Sequence, residues 1–122
     1  KDRSGTKTGG RTEMTTAEVA SMIGSIGLDY AYYQFPEASG QAPPFVLFYY
    51  PEDNDFIADD CNYVKKCSLI IELYTDNKDF EKEAAVEAVL KNNGFVYSRA
   101  EQYIDSERMY EVIYSTEVII DG

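Results

Sequence analysis

Residues 63–94, YVKKCSLIIELYTDNKDFEKEAAVEAVLKNNG, decide how this chain folds. In the first part every second residue is apolar: Cys67, Leu69, Ile71 and Leu73 fall on one face of a strand from about Tyr63 to Thr75. Lys66, Ser68, Ile70, Glu72 and Tyr74 fall on the other. The spacing then changes. Asp76 or Asn77 is placed to cap a helix whose apolar side holds Phe80, Ala84, Ala85, Val86, Ala88, Val89 and Leu90. Asp79, Glu81 and Glu83 near its start oppose the positive end of the helix dipole, and Asn93-Gly94 is a helix stop. A long strand followed directly by a helix is the centre of the predicted domain.

Upstream, Thr15-Thr16-Ala17-Glu18 reads as a capping box, and Val19, Met22, Ile23 and Ile26 recur at helical spacing. A helix is therefore predicted over about 16–26, with Gly27 suited to the left-handed position that ends it. Strands are predicted at Tyr30–Phe35, stopped by Pro36, and at Phe45–Tyr50, stopped by Pro51. FVLFYY (45–50) is apolar on both faces, which fits a central strand or one with a face against a partner. Downstream, strands are predicted at Phe95–Glu101 and about Met109–Ile120; in the latter Tyr110, Val112 and Tyr114 alternate with Glu111, Ser115 and Glu117. The order α-β-β-β-α-β-β predicts an α+β domain: an antiparallel or mixed sheet of about five strands with two helices on one face. Two-faced strands leave apolar area that the helices do not cover. Phe48, Tyr50, Ile70 and Tyr74 are the candidate interface residues for that surplus.

The chain has 122 residues with 22 acidic and 11 basic side chains, a net charge of −11, no His and no Trp. Its 44% hydrophobic content is enough for one core, and one domain fits the length. The charge is uneven. Residues 1–13 (KDRSGTKTGGRTE) hold four basic and two acidic residues and no large apolar one, so they are expected to form a flexible basic arm ahead of a domain spanning 14–122. The arm is either an addition ahead of a native start at Met14 or a tether that wraps a neighbour's acidic surface. Absence of His removes Ser-His, Cys-His and His-ligated metal chemistry, and the acidic balance argues against phosphate-backbone binding. No apolar run approaches the roughly 20 residues of a membrane-spanning helix, and no signal peptide is read, so no membrane partner is expected. Cys61 and Cys67 lie six apart in one predicted strand, about 20 Å of extended chain, too far for a disulfide. They are expected to be thiols, and the spacing matches no metal motif.

The densest acidic cluster is the loop carrying Glu52, Asp53, Asp55, Asp59 and Asp60. Asp53-Asn54-Asp55 begins like a calcium loop but lacks the turn glycine and the distant bidentate Glu. Paired catalytic carboxylates have no signal here beyond the abundance of acids. The expectation is a solvated hairpin tip which, repeated around a ring, makes a strongly negative lumen. The eleven tyrosines, among them Tyr30, Tyr32, Tyr33, Tyr49 and Tyr50, could stack bases only beside a basic groove, so core and protein-interface roles are favoured. Lys65, Lys66, Lys78 and Lys82 read as solvent-facing charges that pair with nearby acids. GTKTGG (5–10) lacks the Gly-Lys-Ser/Thr ending of a phosphate loop. No catalytic residue, metal site or cofactor is expected.

Two stretches, ADDCNYVKKCSLIIELYTDNKDFEKEAAVEAVL (58–90) and YSRAEQYIDSERMYEVIYSTEVI (97–119), resemble the tail-completion or tail-terminator proteins of long-tailed siphophages and prophages. IELYTDNKDFE (71–81), YIDSERMYEVIY (103–114) and the element order carry the likeness, which covers most of Met14–Ile120 and leaves residues 1–13 outside. These are strand ends, helix caps and a closing strand, so they point to a fold family more sharply than to one role; other neck and minor tail proteins share it. The resemblance implies a non-enzymatic virion protein, made in the host cytoplasm, that forms a ring, usually sixfold. It would cap the tail tube, dock on the head connector or stopper, and let DNA pass through its lumen. A rival reading is an acidic DNA mimic that inhibits a nucleic-acid enzyme, which requires carboxylates spaced like duplex phosphates along one face. A small hydrolase or carboxylate-built metal nuclease is a third, and it lacks any nucleophile motif.

Overall fold

The computed structural model describes residues 7–8, 11–35, 40–51 and 64–121. They form two helices and one mixed sheet, an α+β fold. In chain order the elements are β1 (Lys7–Thr8), β2 (Arg11–Met14), α1 (Thr16–Gly24), β3 (Asp29–Tyr32), β4 (Phe45–Tyr49), β5 (Val64–Thr75), α2 (Phe80–Asn92), β6 (Tyr97–Ile104) and β7 (Met109–Asp121).

The β5–β7 pair is the spine. The two strands run antiparallel in register from Val64↔Asp121 to Thr75↔Tyr110, so Cys67, Leu69, Ile71 and Leu73 lie beside Val118, Thr116, Tyr114 and Val112 on one face. β4 adds antiparallel to β5, setting Phe48 beside Ile71 and Val46 beside Leu73, and β3 adds parallel to β4. On its other edge β7 pairs with two strands in succession: antiparallel β6 along Met109–Thr116 and parallel β2 along Val118–Ile120. No element was expected over residues 7–14. There β2 places Thr12, Glu13 and Met14 opposite Val118, Ile119 and Ile120, and Met14 enters the core at 7% exposure.

The expected helix starts and stops are present, with one shift. Thr15 accepts from the Glu18 amide and Glu18 reaches back to the Thr15 amide, closing the capping box. The α2 cap is Asp79, not Asp76 or Asn77; its carboxylate accepts from the Lys82 amide. Any of the three can cap, and the register that seats Val86 and Leu90 on the sheet selects the third. That register also turns Phe80, expected in the apolar side, out to 73% exposure and buries Glu83 instead. At the far end Gly94 takes φ +85, its amide bonds the Lys91 carbonyl and the Phe95 amide bonds the Leu90 carbonyl, a Schellman stop that drops Phe95 into the core.

Both helices cover the same face. Val19, Met22 and Ile23 of α1 and Val86 and Leu90 of α2 join Val46, Phe48, Leu69, Ile71, Leu73, Val112, Tyr114 and Val118 in one cluster. Each fully buried Leu, Ile or Val here contributes about 1.5–3 kcal/mol relative to exposure. β3 is shorter than the predicted 30–35 because Tyr33 adopts φ +70, a left-handed conformation that ends the extended run. β6 begins two residues later than predicted and runs to Ile104, where a four-residue turn, Asp105–Arg108, reverses the chain into β7.

Candidate assembly surface

The register separates the sheet into two unlike faces. The helix-covered face takes Val46, Phe48 and Tyr50, the odd residues of β5 from Cys67, and the even residues of β7. The opposite face takes Phe45, Leu47 and Tyr49, then Ile70, Glu72 and Tyr74, then Glu111 and Ile113, and the even residues of β6. This face is aromatic at one side: the Phe45 ring stacks on Tyr74 with centroids 4.9 Å apart, Phe35 meets Phe45 edge-on at 5.3 Å, and Tyr33 meets Tyr49 edge-on at 5.5 Å.

Beside the rings sits a carboxylate pair. Tyr49 donates to Glu72 Oε2 at 3.0 Å, and the Tyr74 hydroxyl lies 2.8 Å from Glu72 Oε1 and 2.9 Å from Glu111 Oε2. Gln102 Nε2 donates to Glu111 Oε1 at 2.6 Å. Glu111 is only 6% exposed. Among the described residues no Lys or Arg bonds either carboxylate, so tyrosine and amide donors satisfy them. Burial, then the Glu72 carboxylate, pushes Tyr49 up to about 12, and the same causes hold Tyr74 far above the ordinary tyrosine value. The network joins β4, β5, β7 and β6 side by side.

A second polar cluster fastens α2 to β6 on the helix-covered face. Glu83, 7% exposed at its side chain, is held by Arg99 Nη2 at 2.5 Å and Lys78 Nζ at 2.9 Å. Arg99 also reaches Glu101 at 3.0 Å and Glu87 at 3.5 Å, Lys78 reaches Glu101 at 2.6 Å, and Tyr114 donates to Glu87 at 2.9 Å. Lys78, expected to pair with nearby acids, does so with Glu83 and Glu101 while keeping 27% of its side chain exposed, and lies 5.1 Å from the Phe80 ring centroid. Lys82 pairs with Asp79 at 3.1 Å, and Lys66 is exposed.

The four candidate interface residues divide between the faces. Phe48 and Tyr50, 5% and 3% exposed, lie in the core beneath the helices; Tyr32 packs edge-on to Phe48 at 5.3 Å. Ile70 and Tyr74 are half-buried on the opposite face. Period-two alternation groups residues by face without saying which face receives the helices. Glu52, Asp53, Asp55, Asp59, Asp60 and Cys61 lie outside the described residues; Cys67 is a core thiol, 4% exposed. Among the described residues the large apolar side chain most open to solvent is Val96, 76% exposed between α2 and β6, and the others lie at or beside β3 and β6. Tyr30, Tyr32 and Tyr33, at and just past β3, are 43%, 39% and 58% exposed; at β6, Tyr103 is 48% and neighbouring Phe80 73% exposed. The exposure of Phe80 and Tyr103 depends on how α2 and β6 pack in the whole domain, which no local pattern in the sequence records. Among the described residues no group of three or more Cys, Asp or Glu could hold a metal, and no helix is long and apolar enough to cross a membrane.

The structure superposes on a chain of the solved virion of a native gene transfer agent (GTA) particle with a TM-score of 0.52. The match covers 84% of this chain and 86% of that one at 16% sequence identity, which establishes a shared fold. No protein-family model and no curated protein matches the sequence.

Proposed function

We propose that this chain is a structural protein of a phage-like virion, and specifically a ring-forming subunit that caps a tail tube and joins it to the head. The observation that carries the reading is the fold shared with a virion chain across nearly the whole of both. The resemblance of residues 71–81 and 103–114 to tail-completion proteins supports the finer role, with six as the expected copy number. Its partners would be further copies of itself, the tail tube protein and the head connector or stopper. A net charge of −11 per copy suits a lumen past which DNA slides without adhering.

The DNA-mimic reading has less support. It calls for carboxylates standing into solvent like phosphates, whereas Glu72 and Glu111 are bonded by tyrosines and Glu83 and Glu87 by Arg99 and Tyr114. The test of the ring reading is mass and symmetry. Light scattering and negative-stain imaging of the protein, alone and with purified tail tubes, should give a closed oligomer or a cap at one tube end. A monomer at high concentration that never decorates tubes or connectors would remove the reading.

A further inference from the structure

The two sheet edges differ from one another, and this bears on how copies of the chain would meet. From edge to edge the strands run β3-β4-β5-β7-β6, about 19 Å across at the usual strand spacing. Among the described residues no strand pairs with the outer edge of β3 or of β6. Among the described residues both therefore present a row of backbone donors and acceptors to which another strand could add, and neither strand carries a proline or bulge.

Strand directions restrict the options. β3 and β4 are parallel, β4 and β5 antiparallel, β5 and β7 antiparallel, and β7 and β6 antiparallel, so β3 and β6 point in opposite directions. Copies related by rotation about an axis running roughly along the strands keep those directions. β6 of one copy then meets β3 of the next antiparallel, the favoured pairing, with helix-covered faces on the same side. Two unlike edges meeting head to tail is the contact type that closes rings; a twofold dimer would join like to like.

The side chains match. On the helix-covered side β3 offers Tyr30, lying against Gly24 of α1, and Tyr32; β6 offers Arg99 and Tyr103, flanked by Lys78 and Phe80. Arg99 and Lys78 keep 33% and 27% of their side chains exposed while paired with Glu83 and Glu101, and β3 carries no basic residue, so an ion-pair cluster on one edge faces tyrosine rings and hydroxyls on the other. At about 200 Å² per aromatic side chain, Tyr30 and Tyr32 expose roughly 160 Å² and Phe80 with Tyr103 roughly 250 Å². That is a fitting apolar centre for an interface of about 800 Å² per partner.

We propose, resting on the ring reading above, that the occupant of the β6 edge is β3 of the adjacent copy, so that one sheet continues from subunit to subunit. Ala31 on β3, half-buried, and Ala100 on β6, exposed, lie near the middle of their strands on the face away from the helices. In a Cys61→Ser background, Ala31→Cys/Ala100→Cys treated with a short bismaleimide should give a ladder of covalent multimers ending at one closed size. Each single variant should stay monomeric on denaturing gels, and an equal mixture of the two should give dimers. Ile70→Lys, on the open face between the edges, should leave the ladder unchanged. Dimers from either single variant would overturn the proposal. So would a particle of ring mass by light scattering whose double variant yields no ladder, which leaves the ring reading standing with its interface elsewhere. A chain that remains monomeric alone and on tail tubes fails both.

Discussion

Arg99→Ala tests the clamp that fixes α2 against β6. The substitution removes the guanidinium 2.5 Å from Glu83, a carboxylate with only 7% of its side chain exposed, and leaves Lys78 as its remaining cation. Stranding one member of a fully buried pair costs about 3–5 kcal/mol. Arg99 is itself one-third exposed and Lys78 stays at 2.9 Å, so the expected cost is about 2 kcal/mol. For a domain of this size that is a fall of about 6–10 °C in Tm. Thermal and urea unfolding followed by circular dichroism read it directly. Glu83→Gln keeps the shape and removes the charge, so the cost of Arg99→Ala measured in that background should shrink by about 1 kcal/mol, the coupling of the pair. Salt should change the effect little, because a buried pair is poorly screened. Arg99→Ala melting with the wild type, or the two substitutions adding without coupling, would refute the reasoning: α2 would then be held by Val86 and Leu90 alone.

Other outcomes follow from single features. Four hydroxyls, of Tyr49, Tyr50, Tyr74 and Tyr114, are held neutral above the ordinary value of 10.0, first by burial and, for all but Tyr50, next by a bonded carboxylate. A folded-state pKa raised in this way contributes stability that is complete below the unfolded value and lost as pH rises through the folded one. Unfolding free energy should therefore fall from about pH 10 upward. A tyrosinate absorbance titration should show a step of about four hydroxyls that appears only as the protein unfolds; no absorbance step accompanying alkaline unfolding would sink the assignment. At the acid end, hydrogen bonds from Lys78 hold Glu101 below its ordinary range and those from Lys82 do the same for Asp79, so their contribution is lost as pH falls below about 4. Asp79→Ala should lower Tm through loss of the α2 cap, and Asp79→Ser should restore most of it; equal stability of all three would show that the cap is idle. Arg108 sits at φ +55 in the β6–β7 turn, so Arg108→Gly should raise Tm by a few degrees, against a fall if the side chain makes an essential contact.

Features with their cause inside a few residues were legible from the chain alone. The Thr15–Glu18 capping box, the Asn93-Gly94 stop and the alternation of Cys67 to Leu73 are settled by backbone geometry within one turn or one strand, and they stand as read. So was the α+β class, because strands and helices announced themselves in order. What depended on distant parts of the chain was not legible. Helix α2 starts at Asp79 because Val86 and Leu90 must meet the sheet, and that choice exposes Phe80 and buries Glu83. Residues 11–14 look too polar to order by themselves, yet β7 offers them a strand edge beyond the end of β6. Phe48, Tyr50, Ile70 and Tyr74 are equally apolar in one dimension; only the packing of both helices on one face made the first two core and left the other two on the second face. Short-range hydrogen bonding writes itself into sequence, whereas neighbours in a sheet are chosen by burial summed over the whole domain, and no window of residues contains that sum.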